Sequence, residues 1–143
     1  MDEKNIFLAF DYGTTNTGVA VGQKITKSAT VLAPLISKNM VLPWEKIDDL
    51  IKTWNPHALV VGVPYQFDGS EFEVTKHALN FIAQLKKRYK LPVYPAEECL
   101  TTKAARAEIY KRGGYKALQN KSIDSEAAKI ILEAWMNTYN MSS

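Results

Sequence analysis

Cysteine and histidine are scarce in this chain. Among its 143 residues are one cysteine, Cys99, and two histidines, His57 and His77. That inventory excludes an internal disulfide and a zinc site built from Cys and His, so any metal must be held mainly by oxygen. No apolar run approaches the roughly 20 residues needed to cross a bilayer, which argues against a membrane protein. The opening MDEKN is charged and polar and lacks the basic start, long apolar stretch and small-residue cleavage site of a signal peptide, so a cytoplasmic location is expected. Internal repeats, low-complexity tracts and linker-like stretches are missing too. A length of 143 residues then fits one domain spanning 1–143, with one core.

A strong net charge is also absent, the formal value being +3, but the charge is unevenly spread. Between Leu100 and Lys121 lie six basic residues, Lys103, Arg106, Lys111, Arg112, Lys116 and Lys121, against the single acid Glu108. A solvated helix and loop would account for such a run. Tyr110 and Tyr115, interleaved with the charge, favour contact with RNA or DNA instead.

What is present is a succession of well-marked elements. Ile6–Phe10 and Ala58–Val63 are continuous apolar runs, as expected of strands buried on both faces. Thr17–Gly22 and Ala29–Ile36 predict two more strands, joined by a short polar turn and so antiparallel. From Pro43, apolar Ile47, Leu50, Ile51 and Trp54 recur at helical spacing until Asn55-Pro56 stops them. Ser70 and Glu73 are spaced as a capping box for a second helix with Val74, Ala78, Phe81, Ile82 and Leu85 on its core face. Leu91–Tyr94 predicts a short last strand, and two helices follow, over 101–112 and 123–139, joined by Gly113-Gly114-Tyr115. This order predicts an α/β, ribonuclease H-like domain: a mixed five-stranded sheet, a three-stranded antiparallel meander plus two parallel strands, with helices on both faces. Half of an actin-like ATPase shares the order.

Acids stand out at three places in that arrangement. Asp11 ends the first strand, on the side where ligands gather outside parallel strands, although an Asp before Tyr-Gly can simply cap a turn. Glu97 and Glu98 follow the last strand and precede Thr101, a candidate helix N-cap, where an acid also complements the helix dipole. Asp124 shares a helical stripe with Ala128, Ile131 and Trp135, which directs it toward the core side, where an ionised carboxylate is costly unless paired or bound to metal. A cluster of acids without Cys or His suits Mg²⁺ or Mn²⁺, and two such ions about 4 Å apart orient water and stabilise the leaving oxygen of a phosphodiester. If a strand separates the first from the last, their axes lie about 10 Å apart and Glu98 must lean inward or serve one ion only. His57 and His77 sit where structural roles are expected, and Cys99 has no histidine placed to activate it.

Five collinear segments, LAFDYGTTNTGVAVG, VVGVPYQFDGSE, EECLTT, GGYKAL and SIDSEAAKIILEAW, resemble the YqgF family, also called RuvX, and span nearly the whole chain. The resemblance implies a ribonuclease H-like, metal-dependent nuclease with its catalytic and metal-binding acids at Asp11, Glu98 and Asp124. It implies a ribosomal RNA precursor as substrate, in maturing the ends of small-subunit RNA, with branched DNA as the family's earlier assignment. Nucleic-acid contacts are expected at Thr14, Thr15, Lys103, Arg106, Lys111, Arg112 and Lys116. Two departures stand out. The family's usual GTK followed by Arg or Ser reads Gly13-Thr14-Thr15-Asn16, and its usual DERLTT reads EECLTT, so a Lys and an Arg are missing. Cationic groups neutralise phosphate and transition-state charge, so a catalytically weak RNA-binding assembly factor of the small ribosomal subunit stays open as an alternative. DYGTTNTG also suits an ATPase phosphate loop, but no second Gly-rich loop follows a later strand. No heptad pattern or apolar surface face calls for more than a monomer or weak dimer.

Overall fold

The computed structural model describes residues 6–13, 15–39, 41–63, 73–97 and 122–138. Its strands are β1 (Ile6–Asp11), β2 (Asn16–Gln23), β3 (Ser28–Ile36), β4 (Ala58–Val63) and β5 (Val93–Glu97). The helices are α1 (Trp44–Trp54), α2 (Glu73–Tyr89) and α3 (Ser122–Thr138). The strands form one sheet in the order β3-β2-β1-β4-β5. β1 pairs antiparallel with β2 and β2 antiparallel with β3, whereas β4 runs parallel to both β1 and β5. This is the expected mixed sheet, and β4 does separate β1 from β5.

Alternation along β1 divides the core. Leu8 and Phe10 face one side with Val19, Val21, Leu59, Val61 and Val63, against Ile47 of α1 and Ala78, Phe81 and Leu85 of α2. Phe7 and Ala9 face the other side with Ala20, Ala58 and Val60, beneath Ala128, Ile131, Leu132 and Met136 of α3. Apart from Phe7, the α3 side uses small strand residues. At Gly22 an added Cβ would lie 2.9 Å from the ends of both Leu132 and Met136, so the glycine lets the helix seat close to β2.

Two expected boundaries move. β5 runs over Val93–Glu97 rather than Leu91–Tyr94. Lys90 has a left-handed φ of 56°, so the chain turns before Val93, and Pro92 still accepts a hydrogen bond from the Leu59 N–H at 2.9 Å. β5 is an outer strand of the sheet, where Pro95 can be accommodated with its missing N–H. The capping Ser70 and the predicted helix over 101–112 lie outside the described residues, and α2 is described from Glu73.

A polar clasp joins α1 to α2. Arg88 donates from Nε and Nη2 to the two Asp48 oxygens at 3.0 and 2.9 Å, lies 5.1 Å above the Trp44 ring, and shares Asp48 with the Tyr89 hydroxyl. Hydrogen bonds from Arg88 and then Tyr89 hold the Asp48 carboxyl down at about 2, and burial together with Asp48 pushes the Tyr89 phenol up. Because the folded-state value lies below the unfolded one, the clasp contributes in full above the ordinary carboxylate range and is lost as pH falls toward 2. Asp48→Asn should therefore lower Tm modestly at pH 7, with the gap to the parent closing as pH approaches 2. Melting curves across that range check this, and a gap independent of pH would contradict it.

Candidate active site

Asp11 closes β1, the middle strand of the sheet, and is only 6% exposed. It follows Phe7 and Ala9 at two-residue intervals, so its side chain belongs to the α3 face. The neighbours in register are Gly18 on β2 and Gly62 on β4, and Gly62 in turn pairs with Ala96 on β5. Both register partners of Asp11 are glycines, which carry no side chain of their own. Near the C-terminal ends of β1, β4 and β5, Asp11, Gly62 and Ala96 thus lie side by side across the sheet. This alignment was missed from sequence. Its signal, Gly18 in TGVAVG and Gly62 in VVGVP, becomes readable only once the strand register sets both glycines beside Asp11.

The turn after Asp11 is tightly built. A Cβ on Gly13 would fall 2.2 Å from the carbonyl oxygen of Asn16, so only glycine fits this conformation. Buried Thr17 ties the turn, its Oγ1 accepting from the Gly13 N–H and donating to the Gly13 carbonyl, each at 3.4 Å. The Thr15 carbonyl accepts from the Ser37 N–H at 2.8 Å, anchoring the turn to the end of β3 and leaving the Thr15 side chain exposed. Tyr12 lies on the opposite face, its ring 5.5 Å from Phe81 and stacked 6.5 Å from His77, and burial raises its phenol pKa.

α3 brings the second expected acid into the same region. Asp124 is the third residue of α3, while Ala128, Ile131 and Trp135 of the predicted stripe do pack on the α3 face of the sheet. Ser125, next to it, accepts from the Val19 N–H at 3.2 Å, and Val19 follows Gly18, the partner of Asp11. The first turn of α3 therefore sits over the strand beside Asp11. The Asp124 carboxylate and all of Glu98 lie outside the described residues, as do Cys99, Thr14, Lys103, Arg106, Lys111, Arg112 and Lys116. Among the described residues no three acid, His or Cys side chains gather as metal ligands. His57 is exposed at the opposite end of β4, edge-on to Phe7, and His77 stacks on Tyr12, structural placements in both cases. No described helix is long and apolar enough to cross a membrane.

Comparison with known proteins adds the following. The family described as "RuvX: Holliday junction resolvase" matches residues 5–138. A protein of Haemophilus ducreyi named "Putative pre-16S rRNA nuclease" is 47% identical over 130 residues, 91% of this chain and 94% of its own length. A protein of the same name from Aeromonas hydrophila is 44% identical over 129 residues, covering 90% and 92%. Among solved structures, Thermus thermophilus RuvC in complex with a Holliday junction substrate superposes with a TM-score of 0.56 at 15% identity, covering 92% of this chain and 93% of that one. The fowlpox virus Holliday junction resolvase gives a TM-score of 0.51 at 14% identity, covering 93% and 98%. At such identities the shared property is the ribonuclease H-like fold.

Proposed function

The chain belongs to the RuvX family, and from that premise we propose that it is a divalent-metal-dependent nuclease maturing the 5′ end of pre-16S ribosomal RNA. It is a hydrolase acting on the ester bonds of nucleic acid. The observation that carries the site assignment is the buried Asp11 carboxylate between Gly18 and Gly62 at the C-terminal end of the central strand.

Asp11, Glu98 and Asp124 are the proposed acids, contributed by β1, the segment after β5 and the first turn of α3. Their oxygen-only chemistry, with glycines as the two register partners of Asp11, fits Mg²⁺ or Mn²⁺. Such an ion supplies a Lewis acid to the attacking water and the departing oxygen. The chain's own contribution is to fix Asp11 on a rigid strand and shape the adjoining turn through Gly13 and Thr17. It would also hold the phosphate backbone with Thr14, Thr15, Lys103, Arg106, Lys111, Arg112 and Lys116. The ribosomal RNA precursor is read as the partner, met on the assembling small subunit in the cytoplasm by a monomer or weak dimer.

A second reading, cleavage of branched DNA, is favoured by the family's description. A third, an assembly factor that binds RNA without cutting it, is favoured by Thr15 and Cys99 where the resemblance leads one to expect Lys and Arg. One experiment separates them: incubation with pre-16S RNA and with a four-way DNA junction, in Mn²⁺ and in EDTA. Metal-dependent cutting of the RNA supports the proposal, cutting of the junction alone moves the substrate to DNA, and salt-dependent RNA binding without cutting leaves the assembly factor.

A further inference from the structure

The β2–β3 ladder is broken beside the site. Thr17 pairs with Leu35 but Val19 pairs with Leu32, so Gly18 alone on β2 opposes two residues on β3, a bulge at Ala33-Pro34. Proline has no N–H to give a ladder, and an outer strand is where it can be tolerated. The opening leaves groups for another partner, and Ser125 supplies it: its hydroxyl accepts from the Val19 N–H at 3.2 Å and donates to the Leu32 carbonyl at 2.5 Å. Ser125 is 1% exposed, so neither backbone group has easy recourse to water once that hydroxyl is removed.

A lone buried serine can be merely structural, but this one joins three elements at one point. It couples the first turn of α3 to β2 and to β3, at a residue two positions along β2 from Thr17, which ties the Gly13 turn. Its chain neighbour is Asp124, and the strand residue it grips neighbours Gly18, the register partner of Asp11. Further along α3 the contact is mainly apolar, through Ala128, Ile131, Leu132 and Met136, with Glu133 accepting from the Ala29 N–H at 2.9 Å two turns on. The directed bonds of Ser125 do for the first turn of α3 what Glu133 does for its later part.

We propose that Ser125 is a positioning residue for the metal site: its hydroxyl, plugged into the β2–β3 bulge, sets the placement of the α3 first turn, and with it Asp124, relative to Asp11. The proposal rests on the metal-dependent nuclease reading above. Groups that orient metal ligands commonly govern affinity by 10-fold to 100-fold, so Ser125→Ala should weaken Mn²⁺ binding by about 10-fold or more. Ile131→Val, which loosens α3 two turns further on without touching the bulge, should leave Mn²⁺ affinity within about 2-fold, since one buried methylene mainly affects stability.

The test is calorimetric titration of the metal-stripped protein with MnCl₂, well below every variant's Tm, alongside the RNA and junction cleavage assays. A selective loss of affinity in Ser125→Ala supports the positioning role. Should that variant not fold, Ser125→Cys, close in size but a weaker hydrogen-bonding group, replaces it with a several-fold loss expected. Equal affinity in parent and serine variant, or an equal loss in Ile131→Val, overturns the positioning role and leaves the nuclease reading standing. A parent that binds Mn²⁺ but cuts neither nucleic acid overturns the nuclease reading while the comparison of affinities still decides the role of Ser125. A parent that binds no Mn²⁺ overturns both.

Discussion

Asp11→Asn is expected to lower metal-dependent cleavage by about a thousandfold or more while leaving the fold intact. The substitution keeps side-chain shape and a carbonyl oxygen but removes the negative charge that makes the group a ligand for a hard cation. Where a cation contributes several kcal/mol to charge stabilisation in the transition state, each 1.4 kcal/mol lost costs about tenfold in rate. Asp11 is buried at the end of the middle strand, so the ligand position proposed for it cannot easily be taken over by water or by a shifted neighbour. Glycines flank it in register on both sides, and neither can supply a replacement side chain. Initial rates on pre-16S RNA in Mn²⁺, with EDTA as the blank and melting curves for both proteins, check the expectation. Activity within about tenfold of the parent, at equal stability, would remove Asp11 from the chemistry.

The residues that make this site differ in how openly the sequence displayed them. Strand and helix identity followed from hydrophobic period: the unbroken runs of β1 and β4, and the 3.6-residue recurrence in α1, α2 and α3, each have one dominant face or none. The position of Asp11 was legible because it terminates an apolar run. The Gly18–Asp11–Gly62 alignment was not, since register between β1 and β4 is fixed by packing of α1 and α2 over one face, a tertiary property absent from any local window. Ser125 was invisible for a related reason. A serine in a helix at an inward position reads as a weak core residue until the Ala33-Pro34 bulge beneath it shows which backbone groups it serves. The end of β5 was misjudged because Pro95 lowers strand propensity, whereas pairing with β4 over Leu59–Val63 imposes it.

Phe81→Ala should produce the largest loss of stability among these changes, about 3–5 kcal/mol. Phe81 is 1% exposed, and its ring meets Phe10 at 5.6 Å, Tyr12 at 5.5 Å and Trp44 at 5.9 Å, so it joins α2 to β1, to the site turn and to α1. Truncation leaves a cavity bounded by three rings, and rings on a strand and two separate elements cannot collapse together to fill it. With domains of this kind stable by about 5–15 kcal/mol, a large share of the total is at stake. For a chain of this size that corresponds to a fall in Tm of roughly 10 °C, measurable by circular dichroism. Leu79→Ala, two residues away on the exposed side of α2, should cost less than about 1 kcal/mol. Because Phe81 supports Tyr12 from the face opposite Asp11, cleavage by the folded fraction should fall far less than in Asp11→Asn. A Phe81→Ala protein as stable as the parent would mean that α2 does not seat through this ring. One that loses cleavage as completely as Asp11→Asn, at temperatures where it remains folded, would mean that the two faces of the sheet are coupled through the turn at Tyr12 and Gly13.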